Sequence, residues 1–153
     1  MRYFNVYGPH QDPYGAYAAV IPLWVRAVLK EEPIQIFGDG LTTRDFCFIQ
    51  DVVQANLCAA SAPMNEHKQR VFNVAASHKT ALVELYDVIC SVIKEKIPTT
   101  QLHKPVYRDF RSGDVRHSQA DIGKAQYLLG YVPSHCIQGG IIKAMPWYIR
   151  FFM

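Results

Sequence analysis

Residues 108–121 read RDFRSGDVRHSQAD, in which Arg108, Arg111 and Arg116 alternate with Asp109, Asp114 and Asp121 around Gly113. A guanidinium is a planar fork of donors that grips phosphate oxygens in pairs, and a carboxylate accepts hydrogen bonds from ribose hydroxyls. Both kinds of group beside a flexible glycine suit a nucleotide that carries phosphates. The same run also reads as a solvated charged loop. Two other residues bear on the choice. Arg44, in TTRDF, would share the phosphate charge with Arg111, or else close a strand-end ion pair with Asp45 or Asp51. Asn5, in RYFNV, offers an amide at a strand end, where Asn also serves as a turn former.

The chain has 153 residues, half of them hydrophobic and 19% charged. That length fits one globular unit with its own core. A net charge of +3 is too weak to argue for nucleic acid. The arginines also alternate with aspartates, which repel a phosphate backbone. Cysteines stand at 47, 58, 90 and 136 without metal or redox spacing, and the histidines are scattered. Free thiols in a reducing cytosol, and no metal site, are the expectation. No apolar run reaches the roughly 18 residues that span a bilayer, and residues 2–6 do not begin a secretory leader.

The elements that must position these groups alternate between short strands and helices, which predicts an α/β chain. Strands are expected at 2–6, 33–37, 43–49 and 71–75 and around Val106, with a tight turn at Gly38-Asp39-Gly40. Helices are expected at 16–30, 51–60, after Thr80, at 121–129 with Gly130 as its stop, and from about 137 to 151. The first should bury Val20, Leu23, Trp24, Ala27 and Val28. The second should bury Val52 or Val53, Asn56, Leu57 and Ala60. The third has the cleanest stripe: Leu82, Leu85, Tyr86, Ile89 and Ile93. Thr80 is the expected cap of that helix and Ser134 of the last one, which Pro146 should interrupt. Residues 63–69 read as a polar loop.

Four stretches in this order, RYFNVYGPHQDP at 2–13, GDGLTTRDF at 38–46, FNVA at 72–75 and RSGDVRHSQAD at 111–121, resemble the extended short-chain dehydrogenase/reductase family. The likeness is greatest to its NAD-dependent nucleotide-sugar 4-epimerases of the UDP-N-acetylhexosamine branch, and it covers the C-terminal half of such proteins. The resemblance implies a single C-terminal fragment over 1–153, with strands 2–6 and 71–75 belonging to a Rossmann sheet and with 16–61 and 104–153 forming the substrate-binding part. It implies that Asn5 hydrogen-bonds the sugar diphosphate, that Ala19 and Val20 lie near sugar and uracil, and that Arg44 meets the phosphates. It further implies that Arg111 grips the diphosphate and that Asp114 holds the uridine ribose. Ser118 falls where glucose-specific members carry a bulky Tyr, so room for an N-acetyl group and a UDP-GlcNAc/UDP-GalNAc substrate are implied. A cytoplasmic homodimer is implied for the complete enzyme.

Two motifs of that family have no counterpart in this sequence. NAD binds through a GxxGxxG turn, whose backbone lets the pyrophosphate approach a helix start. Gly38-x-Gly40 is the nearest approach, and Thr43 stands where the third glycine belongs. Catalysis uses Tyr-x-x-x-Lys, a base whose pKa the lysine lowers, and none of the nine tyrosines has a lysine four residues on. The expectation is therefore that NAD serves the complete enzyme but does not bind this chain, which alone is inactive and prone to aggregate through unpaired apolar strands. The alternatives are a piece of another nucleotide-sugar dehydratase, decarboxylase or reductase, and a non-catalytic module that binds UDP-sugars.

Overall fold

The structure, a computed structural model, describes residues 1–14, 19–63 and 71–153. Gly15 and residues 16–18 and 64–70, which include the start of the first expected helix and nearly all of the expected polar loop, lie outside the described residues. The fold is α/β. Its strands are short and pair two by two. β1 (Arg2–Tyr3) runs parallel to β6 (Asn73–Val74), and β2 (Val6–Tyr7) runs parallel to β5 (Cys47–Phe48). β3 (Gln35–Phe37) runs parallel to β8 (Val106–Arg108), while β4 (Thr43–Arg44) is antiparallel to β7 (Thr80–Ala81).

Two expected strands are each divided by a residue with another task. The run 2–6 breaks at Asn5, whose backbone has φ of 37°, a left-handed conformation that Asn tolerates better than most residues. The chain changes partner there, from β6 to β5. The run 43–49 breaks at Asp45 and Phe46, both buried. The Asp45 carboxylate accepts the Ala76 amide at 3.0 Å and the Ala120 amide at 3.1 Å, and its backbone carbonyl is taken by the Asn5 side chain and not by a neighbouring strand.

Among the described residues, five helices pack on these strands. α1 (Val20–Leu29) places Pro22 in its first turn, where no N–H is needed. Its core side is Ile21, Trp24, Val25, Val28 and Leu29. The expected face was rotated from this, because Leu23 is exposed at 36% and Val20 only half-buried. α2 (Ile49–Ser61) buries Asp51, Val52 and Ala55. Val52, one of the two alternatives, is inside as expected, but Leu57 is 63% exposed and Asn56 and Ala60 also face solvent. The periodic reading failed here because Asp51, a carboxylate, is one of the inward residues.

α3 (Leu82–Lys96) buries Leu85, Tyr86, Ile89 and Ile93 as its stripe requires. Burying each of the aliphatic chains Leu85, Ile89 and Ile93 contributes about 2 kcal/mol. Its cap residue is Ala81 and not Thr80. The Glu84 carboxylate reaches back to the Ala81 amide at 2.9 Å, and Thr80 is spent in β7. α4 (Gly123–Leu129) ends on Gly130, whose φ of 68° is the left-handed stop.

α5 (Ile137–Phe152) runs through Pro146 without a break. Pro146 and the residue four before it, Ile142, both face solvent, so water can take the carbonyl that the missing N–H leaves. Cys136 caps this helix, its Sγ accepting from the Gly139 amide at 3.4 Å. Ser134, the expected cap, instead donates its amide (3.1 Å) and hydroxyl (3.0 Å) to buried Asp51. His135 adds its amide and its Nδ1 to the same carboxylate, at 3.2 and 2.8 Å. Asp51 thereby fixes the approach to α5 against the start of α2.

The larger core joins α1, α3 and α5 through Trp24, Val25, Leu85, Ile89, Ile141 and Tyr148. A smaller one gathers Cys47, Val52, Val74, Ala120, Ile122 and Tyr131. The Tyr131 hydroxyl donates to the Ala75 carbonyl at 2.7 Å. Burial pushes the Cys47 thiol up to about 11, so this thiol stays protonated and serves as packing.

Tyr7, fully inside, donates its hydroxyl to the Ile137 carbonyl at 3.2 Å and lies across Gly140. A Cβ on Gly140 would sit 1.9 Å from that hydroxyl and 3.2 Å from Phe48, whereas one on Gly139 would meet only the Cys136 sulfur at an ordinary 3.6 Å. Gly140→Ala should therefore cost about 2 kcal/mol by overpacking, although Ala is the better helix former. Gly139→Ala should be neutral or mildly stabilising. Urea unfolding of the two variants decides it: equal midpoints would rule out the Tyr7–Gly140 contact as the reason.

Candidate functional site

β4 ends with Arg44 facing one side and Asp45 follows facing the other. Asp45 enters the core, and Arg44 lines a cleft of about 540 Å³. The α1 side contributes Val20, Leu23, Trp24, Arg26 and Ala27, and β3 contributes Gln35 and Phe37. Asn5 and Phe46 meet on another wall, and Arg111 and Asp114 come from the charged segment. A smaller cavity of about 140 Å³ adjoins it, lined by Asn5, Val6, Tyr7, Ala19, Val20, Ile21 and Phe46. Asn5, Val20 and Phe46 border both.

Each polar group in the cleft is held by a specific neighbour. The Asn5 side chain donates to the Asp45 carbonyl at 3.0 Å. Arg44 donates one nitrogen to the Thr43 carbonyl at 2.9 Å and forms an ion pair with Asp114 through the other. The alternatives read from sequence, Asp45 and Asp51, are both occupied by backbone amides. Arg111 lies over the Phe37 ring, 3.8 Å from its centroid. Such stacking holds a guanidinium without neutralising it. Arg26 faces Glu32 at 3.9 Å.

The charged segment is thus bound to the fold and is not a free loop. The Thr43 amide bonds the Arg116 carbonyl at 2.9 Å, the Ser118 amide bonds the Thr43 carbonyl at 3.2 Å, and the Gly38 amide bonds the Arg108 carbonyl at 2.9 Å. Phe110 covers Gly38, where a Cβ would fall 2.2 Å from the ring. Gly38 has φ of 84° and Gly40 of 80°, so both the turn and the contact require glycine.

Five of the residues singled out from sequence, Asn5, Val20, Arg44, Arg111 and Asp114, border the larger cleft, and Ala19 borders the smaller cavity. Ser118 lines neither; its amide is used to pair the segment with Thr43. Sequence reading missed Phe37, Trp24, Phe46 and Arg26. Phe37 carried a signal, an aromatic ring immediately before a GDG turn. The others carried none, because an aromatic that lines a cleft and one that fills a core look alike in sequence.

Among the described residues the lining of the larger cleft provides cations, one carboxylate, the two amides of Asn5 and Gln35, and apolar walls, with no His, Lys, Tyr, Cys or Ser. These groups suit anion binding and orientation. Among the described residues no group of three or more His, Cys, Asp or Glu is placed to hold a metal ion, and no helix is long and apolar enough to cross a membrane.

Residues 1–75 match the model of the NAD dependent epimerase/dehydratase family. That match takes in just under half of the chain, and likeness to 4-epimerases runs along nearly all of it. It is 34% identical to a UDP-glucose 4-epimerase of Mycolicibacterium smegmatis over 94% of this chain and 43% of that protein. Its fold superposes with a TM-score of 0.84 on a UDP-N-acetylglucosamine 4-epimerase from Methanobrevibacter ruminantium in complex with UDP-N-acetylmuramic acid. That pair is 33% identical over 98% of this chain and 45% of the other. A UDP-glucuronic acid 4-epimerase from Bacillus cereus, in complex with UDP-glucuronic acid and NAD, gives a TM-score of 0.80 at 28% identity, over 98% of this chain and 44% of that one. The chain spans less than half the length of the relatives it matches.

The residues present do not fit an NAD pyrophosphate. Among the described residues the helix caps are Ala19, Phe48, Ala81, Ile122 and Cys136, and no GxxGxxG run leads into any of them.

At the rim, Arg116 forms an ion pair with Asp39. The Arg116 hydrogen bond, with help from the Leu41 amide, holds the Asp39 carboxyl below the usual carboxylate range. A depressed carboxylate contributes stability above its unfolded pKa and loses that contribution as pH falls through its folded pKa. Carbon-detected NMR titration should place the Asp39 midpoint below that of a free aspartate. Arg116→Ala should return it toward the ordinary value, and an unchanged midpoint would exclude the ion pair as the cause.

Proposed function

We propose that this chain is the part of a nucleotide-sugar 4-epimerase that binds the UDP portion of its substrate, and that these 153 residues alone bind without turnover. The observation that carries the reading is convergence. Asn5, Arg44, Arg111 and Asp114 come from three separate segments and border one cleft. Arg44 and Arg111 take the two phosphates, since paired guanidinium donors match phosphate oxygens. Asp114 accepts the ribose hydroxyls and Asn5 donates to the diphosphate. Ala19 and Val20, at the start of α1, form the apolar border toward sugar and base.

Support also comes from the relatives. The compared structures from Methanobrevibacter and Bacillus hold UDP-sugars, and the Bacillus one holds NAD as well. In the complete enzyme NAD would supply the hydride chemistry. The residues of this chain hold the nucleotide end still while that happens, which matters because a small misplacement of reacting atoms is costly in rate. Ser118 borders neither cavity, so a preference for UDP-GlcNAc or UDP-GalNAc has only the resemblance behind it. The four cysteines, free in the structure, accord with a reducing cytosol.

Calorimetry of the full chain with UDP and UDP-GlcNAc tests the reading. UDP should bind, and Arg44→Ala or Arg111→Ala should each weaken it about tenfold, the loss expected for one charge-assisted hydrogen bond in a part-open site. A folded chain that binds neither ligand would exclude the proposal. NAD-dependent turnover of UDP-GlcNAc by the chain alone would overturn the part that calls it inactive.

A further inference from the structure

The two phosphate-facing arginines are held in different ways. Arg111 is stacked on Phe37 at 3.8 Å and has no carboxylate partner among the described residues. Its charge is presented to the cleft in full. Arg44 is already paired with Asp114, and both side chains border the cleft. The empty cleft therefore carries its own anion on the guanidinium that a phosphate would need. The Arg44 side chain is mostly buried, 18% exposed against 43% for Asp114. Of the pair, the carboxylate is the partner with room to change position.

The segment that carries Asp114 does not depend on this ion pair for its place. Thr43 pairs with Arg116 and Ser118 through the backbone, and Arg116 is held by Asp39. Gly113, with φ of 78° and nothing within 4 Å of where a Cβ would be, leaves the turn beside Asp114 uncrowded. The Asp114 carboxylate is thus free to exchange partners while its backbone stays fixed.

We infer that Asp114 is a built-in counter-ion that makes recognition of the diphosphate conditional on recognition of the sugar diol next to it. This rests on the UDP-binding reading above and adds a rule of selectivity to it. A bare anion such as pyrophosphate gains Arg44 only by stripping Asp114 of its cation, and returns nothing to the carboxylate. A nucleoside diphosphate also displaces Asp114 from Arg44, but its ribose hydroxyls supply the carboxylate with new donors. Only the second exchange leaves every charged group with a partner, which is how a site rejects the commoner ligand. Free inorganic phosphates, abundant beside any nucleotide, are thereby disfavoured without a steric barrier.

Asp114→Asn tests this, with inorganic pyrophosphate, UDP and 2′,3′-dideoxy-UDP titrated into the full chain. The residue is exposed, so circular dichroism should show an unchanged fold. Removing the competing charge should tighten pyrophosphate about threefold, the worth of a part-exposed ion pair. The same change should weaken UDP about tenfold, because a charged acceptor of the ribose is lost. In the native chain, dideoxy-UDP should bind about tenfold more weakly than UDP, and this difference should nearly vanish in Asp114→Asn. If native chain binds UDP while the variant binds pyrophosphate no more tightly, the counter-ion exchange is wrong and the UDP site stands. If native chain binds no UDP, the site assignment fails, and the exchange fails with it.

Discussion

Asp45 is the residue on which the arrangement of the cleft depends. Its carboxylate is buried and accepts the Ala76 and Ala120 amides, and its carbonyl accepts the Asn5 side chain. Three stretches distant in sequence are thereby fixed to one point: the partner switch after β1, the turn after β6, and the end of the charged segment before α4. Burial pushes the Asp45 carboxyl up, and the amides that bond it work in the opposite direction. A raised pKa means that the charged form is held at a cost in the folded state, a cost that vanishes as pH falls below the folded pKa. Specificity of arrangement is the return on that cost. Without such an anchor, the strands flanking Asp45, each only two residues long, have little to hold them in register.

Asp51 repeats the device one turn later. It collects two amides, a hydroxyl and an imidazole nitrogen from Ser134 and His135. Between them the two aspartates organise the β4–β5–α2 segment against the C-terminal third of the chain. The carboxylate in the cleft, Asp114, differs from both in having a charged partner and substantial exposure. Satisfaction by fixed backbone amides makes an anion structural, while a single side-chain partner and an exposed position leave it available to a ligand.

Much of this was legible in sequence, and the failures share a cause. The α/β class, the α3 stripe and the Gly130 stop followed from element order and periodicity, and Asn5, Val20, Arg44, Arg111 and Asp114 in the cleft followed from the family resemblance. Errors arose where a polar residue took an inward position or an apolar one faced a cavity. Asp51 inside α2 turned the expected face, leaving Asn56, Leu57 and Ala60 outside. Helix α1 is apolar on two sides because one packs on α3 and α5 and the other lines the cleft. Ser134 looked like a cap by residue type, but tertiary contact with Asp51 claimed it. Strand lengths were overestimated because Asn5 and Asp45 sit in β-compatible surroundings, and only their long-range partners reveal that they end a ladder.

The double role of α1 has an energetic consequence. Trp24 is simultaneously a core residue, edge-on to Tyr86 with centroids 6.4 Å apart, and part of the cleft lining. Val20 and Ala27 likewise pack against the core and border the cleft. A ligand in the cleft therefore touches the side chains that hold α1 to α3. Filling the cleft adds contacts to a helix whose outer side otherwise meets water, and the bound state is stabilised over the unfolded one by mass action. Selection for a firm core and selection for a shaped site then act on the same side chains. A substitution at Trp24 changes packing and binding together, whereas one at Arg111, held by a ring at the rim, changes binding with little effect on the core. The cleft is thus divided into an apolar wall that belongs to the fold and a charged wall that belongs to the ligand, with Asp45 fixing the angle between them.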